Sequence, residues 1–181
     1  MEYSTQGQTA AGRYAQLQSA RSTFDREAKE SSKLTIPSLI PESTTGTRSK
    51  IKTPFQAVGA RGVNSLASKL LFALLPPSTA FFKLSIDSLE LLKQGQEGLE
   101  TEIDKGLRTI ETALMNEIEI SNDRVAMFEA LKHLIVGGNV LLYLTDDGLK
   151  VYPLSKFVCK RDAVGNVLEI ITQESVNPNA L

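Results

Sequence analysis

Gly59 and Gly62, the single histidine His133, the single cysteine Cys159 and the basic run Arg48, Lys50, Lys52 are the residues of this chain whose type and spacing could do chemistry. The glycines belong to "TPFQAVGARGVNSLASKLLFALLPP", Thr53 to Pro77, and a glycine loop ahead of a helix can cradle a phosphate. A phosphate loop of the G-x-x-x-x-G-K-[ST] kind needs a lysine directly after its second glycine, and Val63 stands there. One histidine cannot make a metal site, and no further ligand is spaced for one. His133 follows Glu129 by four residues on what reads as the polar side of its helix, so a surface pair is expected. Cys159, flanked by Phe157, Val158, Lys160 and Arg161, is either a thiol near positive charge or, more simply, a buried strand cysteine. No G-x-S-x-G nucleophile accompanies the histidine. Glu97, Glu100, Glu102, Asp104, Glu111, Glu117 and Glu119 crowd one helix as a solvated face. The expectation is a chain with no catalytic residue, no cofactor and no metal.

Two readings of the glycines survive that test. "VGARG" matches the G-x-x-G of a KH domain, whose loop clamps a nucleic-acid backbone between two helices. Pro54 lies only five positions before Gly59, which leaves no room for the upstream helix. Close packing accounts for more. Each glycine inside a helix costs about 1 kcal/mol relative to alanine, and on an apolar face it lets another backbone approach. The basic run "TRSKIK" could touch phosphates, grip an acidic neighbour or solvate a loop. A small nucleic-acid-binding module using Arg48, Lys50, Lys52 and Arg61 is therefore the alternative to a structural role.

Bulk composition narrows the classes. At 181 residues, with 41% hydrophobic residues, the chain fits one globular domain. Its apolar runs are far shorter than the roughly 20 residues that cross a bilayer, and "MEYSTQGQTAAGRYAQ" has no basic flank and apolar segment of a secretory signal. One cysteine allows no internal disulfide. The formal net charge of −1 hides an asymmetry: residues 1–95 carry 12 Lys and Arg against 7 Asp and Glu, residues 96–181 carry 8 against 14. That balance lacks the basic excess of a free nucleic-acid binder; a mixed solvated surface is the simpler reading of the asymmetry, and head-to-tail contact between copies through surfaces of opposite sign is the alternative.

The elements that must position these residues follow from periodicity. Tyr14, Leu17, Ala20, Phe24 and Ala28 predict one amphipathic helix over Arg13 to Glu30. "TIPSLIPESTTGTRSKIK" reads as an extended arm outside the core. A helix over Pro54 to Leu75 would place Phe55, Gly59, Gly62, Val63, Leu66, Leu70, Ala73 and Leu74 on one buried face, with its last turn, through Leu71, Phe72 and Leu75, covered from two sides. After Pro76 and Pro77, "FFKLSI" alternates as a half-buried strand would. Two helices follow, one carrying Leu99, Ile103, Leu107, Ile110 and Leu114, the other Val125, Phe128, Leu131 and Ile135, ended by Gly137 and Gly138. "NVLLYL" with "LKVYPL", and "FVCKRD" with "VLEIIT", form two hairpins. The expected class is α+β, long amphipathic helices and then a small antiparallel sheet.

"IPSLIP", "TPFQAVGARGVNSLASKLLFALLPP", "FEALKHLIVGGNVLLYL" and "KRDAVGNVLEIIT", in this order and spacing, resemble the N-terminal part of the portal proteins, or head-to-tail connectors, of short-tailed podovirus-type phages. The resemblance spans Ile36 to Thr172. It implies a homo-oligomeric ring, usually dodecameric, at one capsid vertex of the virion. Double-stranded DNA passes through it in packaging and ejection, and terminase and tail attach to it; ATP hydrolysis belongs to the terminase. Implied partners are the capsid protein, the tail adaptor and internal core proteins, with assembly in the host cytoplasm and no membrane. Family members often have tryptophan where this chain has Phe81 and Phe82, and they are several times longer. The chain is accordingly expected to be truncated relative to the family and to correspond to its outer wing. That wing would comprise an N-terminal helix and arm (1–53), a helical portion (54–137) and an antiparallel β portion (138–181). Gly59, Gly62, Phe55, Leu66 and Leu70 are the close-packing or subunit-interface candidates, and Arg48, Lys50 and Lys52 the arm contacts to subunit or capsid.

Overall fold

The computed structural model describes residues 9–41, 53–77, 79–85, 99–146 and 148–174. Among them are five α-helices followed by two antiparallel hairpins, the α+β class that the sequence implies. Helix α1 (Ala10–Ala20) starts at Thr9, whose side chain accepts a hydrogen bond from the Gly12 N–H at 3.2 Å. The single helix expected over Arg13 to Glu30 is two: the chain breaks at Arg21, outside helical geometry at φ −105° and ψ 14°, before α2 (Ser22–Leu34) begins. The side chain at the break is held from far along the chain. The Arg21 guanidinium donates to the Leu154 carbonyl at 2.6 Å and sits over the Phe157 ring.

The arm expected outside the core begins inside it. Ser32, fully buried at the end of α2, donates to the Ile36 carbonyl at 2.8 Å and accepts from the Ile40 N–H at 3.2 Å. This folds residues 36–40 back, so that Ile40 joins Ala28, Tyr152, Leu154 and Phe157 in one buried cluster. Helix α3 spans Val58–Leu74 rather than starting at Pro54, its first backbone bond running from the Arg61 N–H to the Ala57 carbonyl at 2.9 Å. Its last turn is not covered from two sides, because Phe72 and Leu74 are exposed. The strand expected at "FFKLSI" is irregular through Ser85, with Ile86 outside the described residues. The Leu84 N–H bonds to the Glu111 carboxylate at 2.5 Å instead of to a neighbouring strand.

Helices α4 (Leu99–Ile120) and α5 (Asp123–Gly137) meet at a short turn over Ser121 and Asn122. Helix α5 is the hub, packed by α2, α3, α4 and the second strand. A helix surrounded in this way buries residues on most sides, and His133, expected on a polar face, is 5% exposed. Gly138 ends α5 in the left-handed conformation at φ +71°, where glycine avoids a steric cost. Strands β1 (Leu141–Thr145) and β2 (Gly148–Tyr152) pair from Leu141↔Tyr152 to Thr145↔Gly148. A 3-10 turn over Leu154–Lys156 leads to β3 (Phe157–Arg161), which pairs with β4 (Val167–Thr172) from Phe157↔Thr172 and slips register between Lys160 and Arg161.

Candidate functional site

Helix α3 carries the glycines, and its surroundings differ on adjacent sides. Val63 and Ala67 are buried on the side packed against α5. The helix is clamped at its end as well. Arg124 on α5 donates to the Leu75 carbonyl at 2.9 Å and the Pro76 carbonyl at 3.0 Å, occupying acceptors that a helix C-terminus leaves without partners. The start of α5 is in turn fixed to the first hairpin, since the Asp123 carboxylate accepts from the Leu149 N–H at 2.8 Å.

Gly59, in the first turn of α3, lies against the end of α2. A Cβ built on it would stand 2.5 Å from the Leu34 carbonyl oxygen and 3.2 Å from Thr35 Cα, so only a residue without a side chain allows this approach. Gly62, three residues on, has nothing among the described residues within 4 Å of the corresponding position. Leu66 is 46% exposed and Leu70 half-buried, while Phe55, before the helix, is fully exposed beside Lys33, Leu34, Pro54 and Val58. Within one chain the five candidates therefore divide: Gly59 and Leu70 turn inward, whereas Gly62, Leu66 and Phe55 face outward. The open flank also includes Val58, exposed and four residues before Gly62; its spacing from Gly62 and Leu66 was the available sequence signal. Arg61 is exposed on α3, and Arg48, Lys50 and Lys52 lie outside the described residues.

The remaining chemistry-bearing residues stay apart. His133 Nε2 is 3.8 Å from the Glu129 carboxylate, and its buried Nδ1 has no hydrogen-bond partner. Burial holds the imidazole below its ordinary value, only partly offset by Glu129. Cys159 is half-buried on β3 against the apolar cluster. Among the described residues no three of His, Cys, Asp and Glu come together as a metal site, and no helix is long and apolar enough to cross a membrane.

Contacts distant in sequence fasten the ends of the described fold together. Arg13 on α1 forms a bidentate pair with Glu169 on β4, Nη2 to Oε2 being 2.9 Å, and the Tyr14 hydroxyl donates to the Ser155 carbonyl. Glu174 accepts from Lys150 at 2.5 Å and from the Tyr152 hydroxyl. Hydrogen bonds from Arg13 and from Lys150 hold the Glu169 and Glu174 carboxyls, respectively, below their ordinary range. No local pattern marks these pairs.

This arrangement carries an apolar flank and an extensive polar fastening, and comparison with known proteins gives both a context. The chain is 42% identical over 176 residues to the portal protein of Escherichia phage T7, covering 93% of this chain and 32% of the relative. It is 42% identical over 179 residues to that of Enterobacteria phage T3, covering 95% and 33%, and 31% identical over 181 residues to that of Enterobacteria phage SP6, covering 94% and 33%. The chain thus spans about a third of the length of the curated relatives it matches. The family described as bacteriophage head to tail connecting protein matches residues 7–177, from before α1 to beyond β4, and it is to this family that the chain belongs.

Proposed function

We propose that this chain is the wing portion of a portal ring, a structural subunit at one capsid vertex of the virion. Double-stranded DNA would pass through the ring in packaging and ejection. Terminase, the tail adaptor, internal core proteins and the capsid protein would dock on the complete ring, which assembles in the host cytoplasm. The observation that carries this reading is the family match over residues 7–177. The geometry agrees with it, since α3 uses its inner face within the chain and leaves Val58, Gly62 and Leu66 open beside it. In a ring these open residues, together with Phe55, meet another subunit, and Arg48, Lys50 and Lys52 touch subunit or capsid.

Native mass spectrometry of the purified chain and of Leu66→Glu tests the reading. Assemblies of one defined copy number, lost in Leu66→Glu while the monomer keeps its circular dichroism, are expected. A parent that stays monomeric at every concentration refutes it.

A further inference from the structure

The open flank of α3 has a counterpart elsewhere in the same chain. Val58, Gly62 and Leu66 recur every fourth residue along α3, and Gly106, Ile110 and Leu114 do so along α4. Each set is a glycine with two exposed aliphatic side chains, and among the described residues neither glycine has anything within 4 Å of a built Cβ. A mid-helix glycine costs about 1 kcal/mol relative to alanine, and nothing among the described residues repays it at Gly62 or Gly106. Rows spaced by four are also the ridges that interlock when two helices cross, and a glycine in the row lets the axes come close.

Charge decides which row meets which. Helix α3 carries Arg61 and Lys69 and no acid, whereas α4 carries six acidic residues against Lys105 and Arg108. Two copies of the α3 flank would face each other with like charges, as would two copies of the α4 flank. The opposite pairing matches sign as well as shape. Lys69, three residues beyond Leu66, and Glu117, three beyond Leu114, are both exposed at the same offset from the row. Resting on the ring reading above, we propose that the occupant of the α3 flank is the α4 flank of a second copy of this chain. Such a contact is heterologous, each copy offering one surface and receiving the other, the kind of contact that builds a ring when the rotation between copies closes.

The test uses the full chain with Cys159 replaced by serine. Leu66→Cys and Leu114→Cys variants bearing tags of different mass are mixed and oxidised, and a disulfide between the two tagged species is expected, with little product from either variant alone. Lys69→Glu and Glu117→Lys should each weaken association about tenfold, and the Lys69→Glu/Glu117→Lys double variant should restore it. Cross-linking of Leu66→Cys to itself as readily as in the mixture overturns the pairing, as does indifference to both charge reversals. If the parent assembles but the mixed cysteines do not link, the pairing falls and the ring stands. If the parent never assembles, both fall.

Discussion

The first and second turns of α3 each contain a glycine, yet Gly59 lies against the Leu34 carbonyl and Gly62 borders solvent. At 100° per residue the two positions are only about 60° apart around the helix, so a helical projection assigns them one face. The boundary between a used and an unused surface runs between them. On one side the helix has found its partners within the chain, α2 at its start and α5 along its length. On the other it keeps aliphatic side chains in water, the condition that a second chain can relieve. A residue type thus acquires its meaning from the element opposite it, and two glycines in one segment need not serve one purpose.

The sharpest way to break this contrast is to give both positions a methyl group. Gly59→Ala should lower stability by about 1 to 3 kcal/mol, because backbone at Leu34 and Thr35 must move to admit it. Denaturant unfolding of the monomer checks this, and an unchanged midpoint would mean that the inner contact is looser than the structure has it. Mild acid probes the inner surface next. Replacing His133 by leucine removes a buried nitrogen without a partner and should raise stability by about 1 kcal/mol at pH 7. The imidazole is held below its ordinary value in the folded chain, so the unfolded chain takes up the proton first. Stability is complete above about pH 6.5 and declines as the pH falls through that value toward the folded one. His133→Leu should remove that decline, read from melting temperatures between pH 7.5 and 5; a slope equal to the parent's counts against it.

Gly62→Ala should act in the opposite sense to Gly59→Ala, raising monomer stability by up to about 1 kcal/mol through helix propensity alone. If it destabilises the monomer, the outer flank is not open. The smallest effect concerns the polar fastening. Glu169 is a half-buried carboxylate held below its ordinary range by Arg13, so its contribution is present near neutrality and disappears only as the pH falls below the ordinary carboxylate range. Glu169→Gln should lower the melting temperature slightly at pH 7 and not at all at strongly acid pH. Equal losses at both would assign the effect to shape rather than charge.

Both hairpins were legible in the sequence because alternation and turn chemistry are local. Gly148 and Gly165 occupy positive φ, at +117° and +100°, where the reading puts the turns. Helices α4 and α5 were legible from the helical spacing of their apolar residues. The break at Arg21 was not, since no proline or glycine marks it and the carbonyl that holds its guanidinium, Leu154, is 133 residues away. His133 was misplaced for a related reason. A periodicity plot of α5 resolves one apolar face, whereas four elements pack around the helix and bury a histidine lying off that face. At α3 a helical projection puts the candidate residues on one face, but their division between inner and outer sides depends on where α2 ends.

The bond between Arg13 and Glu169 spans 156 residues of chain, and α1 buries none of its own side chains. During synthesis on a ribosome, at roughly 5 to 20 residues per second, the first helix emerges on the order of ten seconds before its partner strand exists. It has until then no apolar contact to dock on and only its own marginal helicity to hold it. Helix α1 is therefore made well before β4 and secured by it only afterwards. A pulse-labelled nascent chain should remain cleavable by protease within α1 until β4 has cleared the exit tunnel.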